Sequence, residues 1–175
     1  MIPHEQFVTE FSNTFSELPE TIPIRMPRYE SGSIRMSGLG HCARQQILRI
    51  KLGSNSMSWP ALMGFASQAL VGAALEKMGY TLTEQEVTYA GMVGHLDGVI
   101  SGYDLDEPMV WDCKGRSYYG LALILRDGLK EADYSSWLQM QCYLYGVGLN
   151  ATFITLVPFD LGAARVELAK KKLAN

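Results

Sequence analysis

The stretch VTYAGMVGHLDGVISGYDLDEPMVWDCK, residues 87–114, alternates apolar and polar side chains in three runs. The runs are separated by Gly91 and by a turn rich in Gly and Asp over residues 102–106. Alternation with a period of two is typical of strands that bury one face. The stretch therefore predicts three consecutive β-strands that form a meander.

Helices are predicted on both sides of this meander. Apolar spacing and stop signals predict helices over residues 4–17, 38–52, 59–79, 117–127 and 134–147, with Ser37 as N-cap of the second helix and Gly53 as its stop. The β-branched run Thr152–Val157 predicts a fourth strand, which a terminal helix follows. We expect an α/β fold with a mixed central sheet flanked by helices and with an N-terminal helical arm.

The composition is that of one folded domain. The chain has 175 residues, of which 47% are hydrophobic and 19% charged, which excludes disordered and collagen-like classes. We expect an arm at residues 1–36, a core at 37–160 and a C-terminal helix at 161–175. No apolar run is long enough to span a membrane, and residues 1–20 carry four glutamates and no basic residue. We therefore expect a cytoplasmic protein without a signal peptide.

The charge is unevenly distributed along the chain. The net charge is −3, yet residues 21–60 hold five arginines and one lysine against a single glutamate, and residues 61–115 are strongly acidic. An acidic centre between basic segments suits a polyanion held around a carboxylate metal site. Candidate phosphate contacts are Arg35, Arg44, Arg49, Lys51 and Lys130, with ordinary solvated charges as the alternative. Trp59, Tyr118, Tyr119 and Trp137 are candidates for stacking on unpaired bases or for the core.

Two acids and a lysine lie on neighbouring predicted strands. Asp112 and Lys114 share one strand face, and Asp97 precedes Asp112 by fifteen residues. Paired carboxylates are the ligands that Mg²⁺ or Mn²⁺ prefers, and a lysine beside them can orient the attacking water. His95 shares the face of Asp97 and is either a ligand or a histidine bonded to the backbone. The alternative is a structural charged cluster in which Lys114 only forms an ion pair.

Four motifs occur in order along residues 37–157. They are SxxxxCxR at Ser37–Arg44, GxxD at Gly94–Asp97, DxK at Asp112–Lys114 and QxxxY at Gln139–Tyr143. In these motifs the chain resembles the PD-(D/E)xK nucleases, and within them the RecB-like exonucleases, which include CRISPR-associated and phage members. The resemblance implies a restriction-endonuclease-like αβββαβ core, in agreement with the order of the predicted elements.

The resemblance also implies roles for individual residues. Asp97, Asp112 and the carbonyl of Cys113 would bind Mg²⁺ or Mn²⁺, and Lys114 would position the hydrolytic water. Gln139 and Tyr143 would hold substrate or groups of the active site. Gln141–Tyr145 also satisfies QxxxY, but the first frame is preferred because of its distance from Asp133-Tyr134.

Two features differ from the family pattern. The first family motif is GxxxH or GxxxE, whereas Gly64–Gln68 ends in an amide, and Glu76 two turns later is the alternative residue. Some relatives hold an iron–sulfur cluster with four cysteines, one of them placed like Cys42. The three downstream cysteines are absent here, so we expect no cluster and a packed Cys42 thiol. The odd number and wide spacing of the three cysteines favour reduced thiols.

The resemblance implies a function on DNA. We expect a metal-dependent deoxyribonuclease, an exonuclease more than an endonuclease, acting on single strands or duplex ends in recombination, repair or phage DNA processing. Elements that thread DNA in larger relatives would come from a second copy of the chain or from a recombination partner protein. The alternative is a catalytically weakened or inactive nuclease fold that serves as a nucleic-acid-binding or assembly module.

Overall fold

A computed structural model describes residues 4–19, 21–23, 33–52 and 59–158. In chain order the elements are α1 (His4–Ser16), β1 (Ile34–Arg35), a 3₁₀ turn (Met36–Gly38), α2 (Ala43–Leu52), α3 (Trp59–Lys77), β2 (Tyr80–Tyr89), β3 (Met92–Gly102), β4 (Met109–Arg116), α4 (Tyr118–Asp127), α5 (Leu129–Ala132), α6 (Tyr134–Val147) and β5 (Thr152–Pro158). From α3 to β5 the order is one helix, three strands, three helices and one strand, which contains the predicted αβββαβ core. The predicted α/β fold is confirmed.

In the part of the chain that the structure describes, five strands form one mixed sheet. β3 is antiparallel to β2 and β4 and parallel to β1, while β5 is parallel to β4. A parallel neighbour requires a crossover connection, which the helices α4 to α6 provide between β4 and β5. The sheet is therefore mixed and flanked by helices, as predicted.

Each face of the sheet has its own core. On one face Val87, Leu96 and Val110 pack with Met140 and Tyr143 of α6. The other face packs against α3 through a second buried cluster, which consists of Val71, Leu75, Tyr80, Ile100 and Trp111. Phe7 and Phe11 of α1 are packed against this second cluster, so the N-terminal helix is attached to the sheet.

A bulge in β3 changes the face of the sheet on which the following side chains of the strand lie. The pairing of β2 with β3 shifts between Thr83, which is opposite Val99, and Gln85, which is opposite Leu96. Asp97 and Gly98 together therefore face a single residue of β2, which is the arrangement of a β-bulge. Because the bulge interrupts the alternation, Leu96 packs on the α6 side and Ile100 on the α3 side.

The structure corrects several predicted boundaries. The second helix begins at Ala43 and not at residue 38, because Met36–Gly38 form a 3₁₀ turn and Gly40 has a φ of +79°. Ser37 lies inside that turn, so its assignment as N-cap was wrong. The strand β1 and the helix α5 were not predicted, since neither is long enough to show a period. The Gly53 stop and the C-terminal helix lie outside the described residues.

Within the described ranges, no helix is long and apolar enough to cross a membrane.

Candidate active site

The candidate site lies where β3 and β4 separate. The two strands pair over Gly98–Ile100 and Met109–Trp111. Asp97 and Asp112 come next on the two strands. Asp97 Oδ2 accepts a hydrogen bond of 2.7 Å from the backbone N–H of Cys113. The side chain of Asp97 thus takes a backbone donor of β4 at the point where the strands diverge.

Asp112 and Lys114 form a buried ion pair on β4. Asp112 is 2% exposed, and Lys114 Nζ lies 3.1 Å from each of its carboxylate oxygens but donates a hydrogen bond only to Oδ1. Asp112 Oδ2 is buried and accepts no hydrogen bond from the described residues. A buried acceptor without a donor is costly, by roughly 1–3 kcal/mol. Asp112 Oδ2 therefore has the charge of Lys114 beside it but keeps a lone pair that a metal ion or a water molecule would satisfy.

A chain of hydrogen bonds continues from Lys114 into α6. Lys114 Nζ donates to Gln139 Oε1 at 3.0 Å, and Gln139 Nε2 donates to Tyr143 Oη at 2.7 Å. Tyr143 Oη then donates to the carbonyl oxygen of His95 at 2.9 Å. Because an ammonium group only donates, Gln139 must turn its oxygen to Lys114 and its amide nitrogen to Tyr143. Both α6 side chains are buried and fixed by this network.

The structure distinguishes the QxxxY frame Gln139–Tyr143 from the alternative frame Gln141–Tyr145. Gln139 and Tyr143 are four residues apart on one face of α6, and this face is turned toward the sheet. Tyr145 of the second frame is 70% exposed and stacks on Tyr89 of β2, with ring centroids 5.7 Å apart. The first frame is thus the one that meets Lys114.

The electrostatics of the group reflect two neighbouring carboxylates, of which Asp112 is buried and Asp97 is partly buried. Burial and the charge of Asp112 raise the pKa of Asp97 to about 7, although the Cys113 N–H and Lys114 oppose this shift. Burial also raises the pKa of the Cys113 thiol, so the thiol is protonated at neutral pH. The pKa of Tyr143 is raised mainly by burial, which keeps its phenol a hydrogen-bond donor.

A pocket of about 270 Å³ opens between α3 and the sheet beside Asp97. Glu84 of β2 lines it, as do Gln68 and Glu76 of α3. Gln68 and Glu76 are eight residues apart and share one helix face. Both candidates for the first family motif thus reach the pocket that Asp97 lines. Ile22 and Pro23, from the segment before β1, also line this pocket.

The residues present fit a two-carboxylate metal site. Across the described ranges, no three His, Cys, Asp or Glu side chains are grouped closely enough to enclose a metal ion. Magnesium, however, is commonly held by one or two protein carboxylates, with water and substrate phosphate as the remaining ligands. Asp112 Oδ2 accepts no hydrogen bond from the described residues, and the charge of Asp112 contributes to the raised pKa of Asp97. A cation between the two carboxylates would reduce this repulsion. Cys113, the third predicted ligand, contacts Asp97 through its N–H.

The predicted phosphate contacts lie on other elements. Arg44 and Lys51 are exposed on α2, and Arg35 is partly buried on β1. Lys130 is exposed on α5, with its Nζ 5.1 Å from the ring centroid of Trp137. The side chains of Arg49 and Trp59 lie outside the described part of the chain. Of the other candidate stacking residues, Tyr119 is exposed and Tyr118 is partly buried.

Two expectations for single residues are resolved by the structure. The ring Nε2 of His95 lies 3.5 Å from the carboxylate of Glu86 on β2, and not against a backbone group of the described residues. It is the backbone carbonyl of His95 that accepts the hydrogen bond from Tyr143. The expectation of a packed Cys42 was wrong: the residue is exposed, because it precedes α2 instead of lying within the helix. Cys42, Cys113 and Cys142 are all free thiols, as expected.

An ion pair beside the site was not predicted from the sequence. Arg116 follows Lys114 on the same face of β4 and pairs with Asp133, the residue before α6. Asp133 also caps α6 by accepting a hydrogen bond of 3.2 Å from the backbone N–H of Ser136. Burial opposes the charged form of Asp133, but hydrogen bonds from Ser136 and the charge of Arg116 outweigh it and lower its pKa. The alternation Asp112, Lys114, Arg116 predicts that Arg116 shares the face of the site, but it does not show that Asp133 is the partner.

The sequence matches no protein-family model and no curated protein. One solved structure, described as the crystal structure of SSO0001, is similar to this chain with a TM-score of 0.50 and 15% sequence identity. The similarity covers 97% of this chain and 86% of that chain. At this identity the likeness shows a shared fold, and this fold is the mixed α/β architecture described above.

Proposed function

We propose that the protein is a divalent-metal-dependent DNA nuclease that hydrolyses phosphodiester bonds. The main support is the meeting of Asp97, Asp112 and Lys114 where β3 and β4 separate, with Lys114 held between Asp112 and Gln139. This is the group of residues that the DxK, GxxD and QxxxY motifs would supply. The resemblance of these motifs to RecB-like exonucleases supports an exonuclease rather than an endonuclease.

Each residue of the group has a distinct role in this proposal. Asp97 and Asp112, with the carbonyl of Cys113, would hold Mg²⁺ or Mn²⁺. Such an ion polarises the scissile phosphate and makes a bound water more acidic. Lys114 orients the attacking water, because its ammonium group is fixed by Asp112 on one side and Gln139 on the other.

Gln139 and Tyr143 act on the position of Lys114. A lysine has four rotatable side-chain bonds, and holding its ammonium group in one place requires acceptors that are themselves fixed. Gln139 is such an acceptor because Tyr143 binds its amide nitrogen, and Tyr143 is fixed in turn by the carbonyl of His95.

The proposed substrate is DNA, as single strands or duplex ends, in recombination, repair or phage DNA processing within the cytoplasm. The basic residues proposed to contact phosphates are Arg35, Arg44, Arg49, Lys51 and Lys130. A second copy of the chain or a recombination partner protein would supply further DNA contacts.

A nuclease assay with matched lysine variants tests the proposal. End-labelled single-stranded and duplex DNA would be incubated with Mg²⁺, Mn²⁺ or EDTA. We expect hydrolysis with either metal and none with EDTA or in Lys114→Met. Lys77→Met is the control, since Lys77 at the end of α3 forms an exposed ion pair with Glu17, the residue that follows α1. Absence of hydrolysis by the wild-type protein with both metals would refute the nuclease proposal.

A second candidate function is a nucleic-acid-binding or assembly module without catalysis. Gln68 favours it, because this amide stands where the family motif has an acid or a histidine. Fluorescence anisotropy with the same DNA in EDTA measures DNA binding without hydrolysis. Together with the nuclease assay it distinguishes the two functions. Binding without hydrolysis in any metal would support the module, whereas hydrolysis that requires Lys114 would exclude it.

A further inference from the structure

Arg116 lies one step beyond Lys114 on the same face of β4. Its guanidinium donates to the carbonyl oxygen of Gly115 at 2.8 Å and to the hydroxyl of Ser136 at 2.7 Å, and it pairs with the carboxylate of Asp133. The side chain is 25% exposed. Asp112 and Lys114 on this strand face have proposed roles in the nuclease site, whereas no role has been proposed for Arg116.

Two of the acceptors of Arg116 belong to the start of α6. Asp133 is the N-cap of this helix, and Ser136 is a buried residue of its first turn. The carboxylate of Asp133 therefore binds the backbone of α6 through one oxygen and Arg116 through the other. Arg116 thus connects β4 to the first turn of α6.

The contacts of Arg116 and Lys114 are in register with each other. On β4 the two cations are separated by one residue and share a face. On α6 their acceptors, Ser136 and Gln139, are three residues apart and share a face. Arg116 contacts Ser136 and Lys114 contacts Gln139 at 3.0 Å, so two neighbouring hydrogen bonds join the strand to the helix. Because one helical turn is rigid, the position of Ser136 determines that of Gln139.

We infer that Arg116 is a positioning residue that places Gln139 against Lys114 by holding the first turn of α6 on β4. The kinetic consequence of this role rests on the nuclease proposal, whereas its structural consequence does not. A planar guanidinium can bind Asp133, Ser136 and Gly115 at the same time in a fixed geometry. A lysine at this position would act as a point charge and could not reproduce the arrangement.

The structural consequence is tested by NMR spectroscopy of the side-chain amide of Gln139. Its resonances are assigned through their loss in Gln139→Ala. In Arg116→Gln we expect them to move toward those of solvent-exposed glutamines and to exchange faster with water, with a smaller change in Arg116→Lys. Ser136→Ala should cause a change in the same direction, and it serves as the test if Arg116→Gln does not fold. Unchanged Gln139 resonances in a folded Arg116→Gln protein would overturn the inference.

Arg126→Gln is the matched control. Arg126 pairs with its neighbour Asp127 at the exposed end of α4 and donates to it through two hydrogen bonds of 2.6 Å. We expect the Gln139 resonances to be the same in this variant as in the wild type. A change as large as that in Arg116→Gln would show that the spectrum responds to any loss of an arginine, and the inference would fail.

The kinetic consequence is tested by a double-mutant cycle. We expect Arg116→Gln to lower kcat roughly tenfold with KM changed by less than about twofold, because a misplaced group slows the chemical step without weakening substrate binding. In Gln139→Ala the same substitution should have little further effect, since both act through Lys114. Additive effects, or a raised KM with unchanged kcat, would overturn the inference. If the wild type hydrolyses no DNA, the nuclease proposal fails, and the NMR result still decides the role of Arg116.

Discussion

The ring of Tyr143 occupies the space that a side chain at Gly94 would need. A β-carbon added at Gly94 would overlap the Tyr143 ring and would also lie 2.8 Å from the sulfur of Met36. The hydroxyl of the same tyrosine binds the carbonyl of His95, the next residue of β3. The glycine of GHLD and the tyrosine of QxxxY thus form the two sides of one contact, which fixes α6 on the sheet.

This contact predicts that Gly94→Ala destabilises the protein and displaces Tyr143. The added methyl group overpacks a buried site, which typically costs about 1–3 kcal/mol. The displaced tyrosine would no longer hold Gln139, so kcat should fall as well. Urea unfolding monitored by circular dichroism gives the free energy of unfolding. Gly64→Ala is the control, because a β-carbon at Gly64 on α3 has no neighbour within 4 Å; equal stability of the two variants would contradict the packing argument.

Divalent-ion binding should depend on Asp97 and Asp112. Removal of either charge takes away one of the two carboxylates at the point where β3 and β4 separate, so we expect Asp97→Asn and Asp112→Asn each to weaken Mn²⁺ binding at least about tenfold. Isothermal titration calorimetry measures the affinity. Asp127→Asn on α4 is the control, since Asp127 is paired with Arg126 away from the sheet. Unchanged Mn²⁺ binding in both site variants would place the metal elsewhere.

The stability of the metal-free protein should fall as the pH rises toward neutrality. In the folded protein the pKa of Asp97 is raised to about 7 by burial and by Asp112, whereas an unfolded chain has an aspartate pKa of about 3.9. Between these values the folded state binds more protons than the unfolded state. The contribution of protonated Asp97 to the free energy of unfolding is therefore complete below a pH of about 4, and it is lost as the pH rises through about 7.

Urea unfolding between pH 5 and 8 in the presence of a chelator checks this dependence. Asp97→Asn should flatten the profile over this range, because the variant has no carboxylate to titrate at this position. Added Mn²⁺ should recover stability at the high-pH end, since a cation neutralises the paired carboxylates. Parallel profiles of the wild type and Asp97→Asn would show that another group controls the dependence.

The sequence predicted those parts of the fold and site that depend on local periodicity. The strands that carry Asp97 and Asp112 were found from alternation. The common face of Asp112 and Lys114 follows from the same period of two. Gln139 and Tyr143 could be placed together because residues four apart share a helix face. In each case the pattern lies within a single element.

The features that were missed depend on contacts between distant parts of the chain. The bulge at Asp97 results from the pairing of β2 with β3, and the composition of β3 alone does not show it. The 3₁₀ turn before α2 places Leu39 where its carbonyl accepts a hydrogen bond from Ser135, 96 residues further along the chain. The partners Arg116 and Asp133 lie on either side of two helices, α4 and α5. None of these relationships has a period that a sequence window would detect.

Gln68 and Glu76 of α3 are the two candidates for the first motif of the nuclease family that the chain resembles. Gln68 and Glu76 line the same pocket as Asp97, and Glu84 already adds a carboxylate there. If Gln68 is the residue in question, Gln68→Glu should tighten Mn²⁺ binding and raise kcat, while the same variant without metal should be less stable because it adds a further negative charge. Gln68→Ala should lower kcat only modestly, since an amide contributes at most a water-mediated contact.

Glu76→Gln provides the opposing measurement on the same helix face. Calorimetry with Mn²⁺, chelator-controlled unfolding and kcat would be compared for Gln68→Glu, Gln68→Ala and Glu76→Gln. Should Gln68→Glu leave Mn²⁺ binding and kcat unchanged while Glu76→Gln abolishes cleavage, the motif is served by Glu76, two turns further along α3. In that case the charge needed by the metal is already present in the pocket. The protein could then be an active nuclease without an acidic residue at position 68.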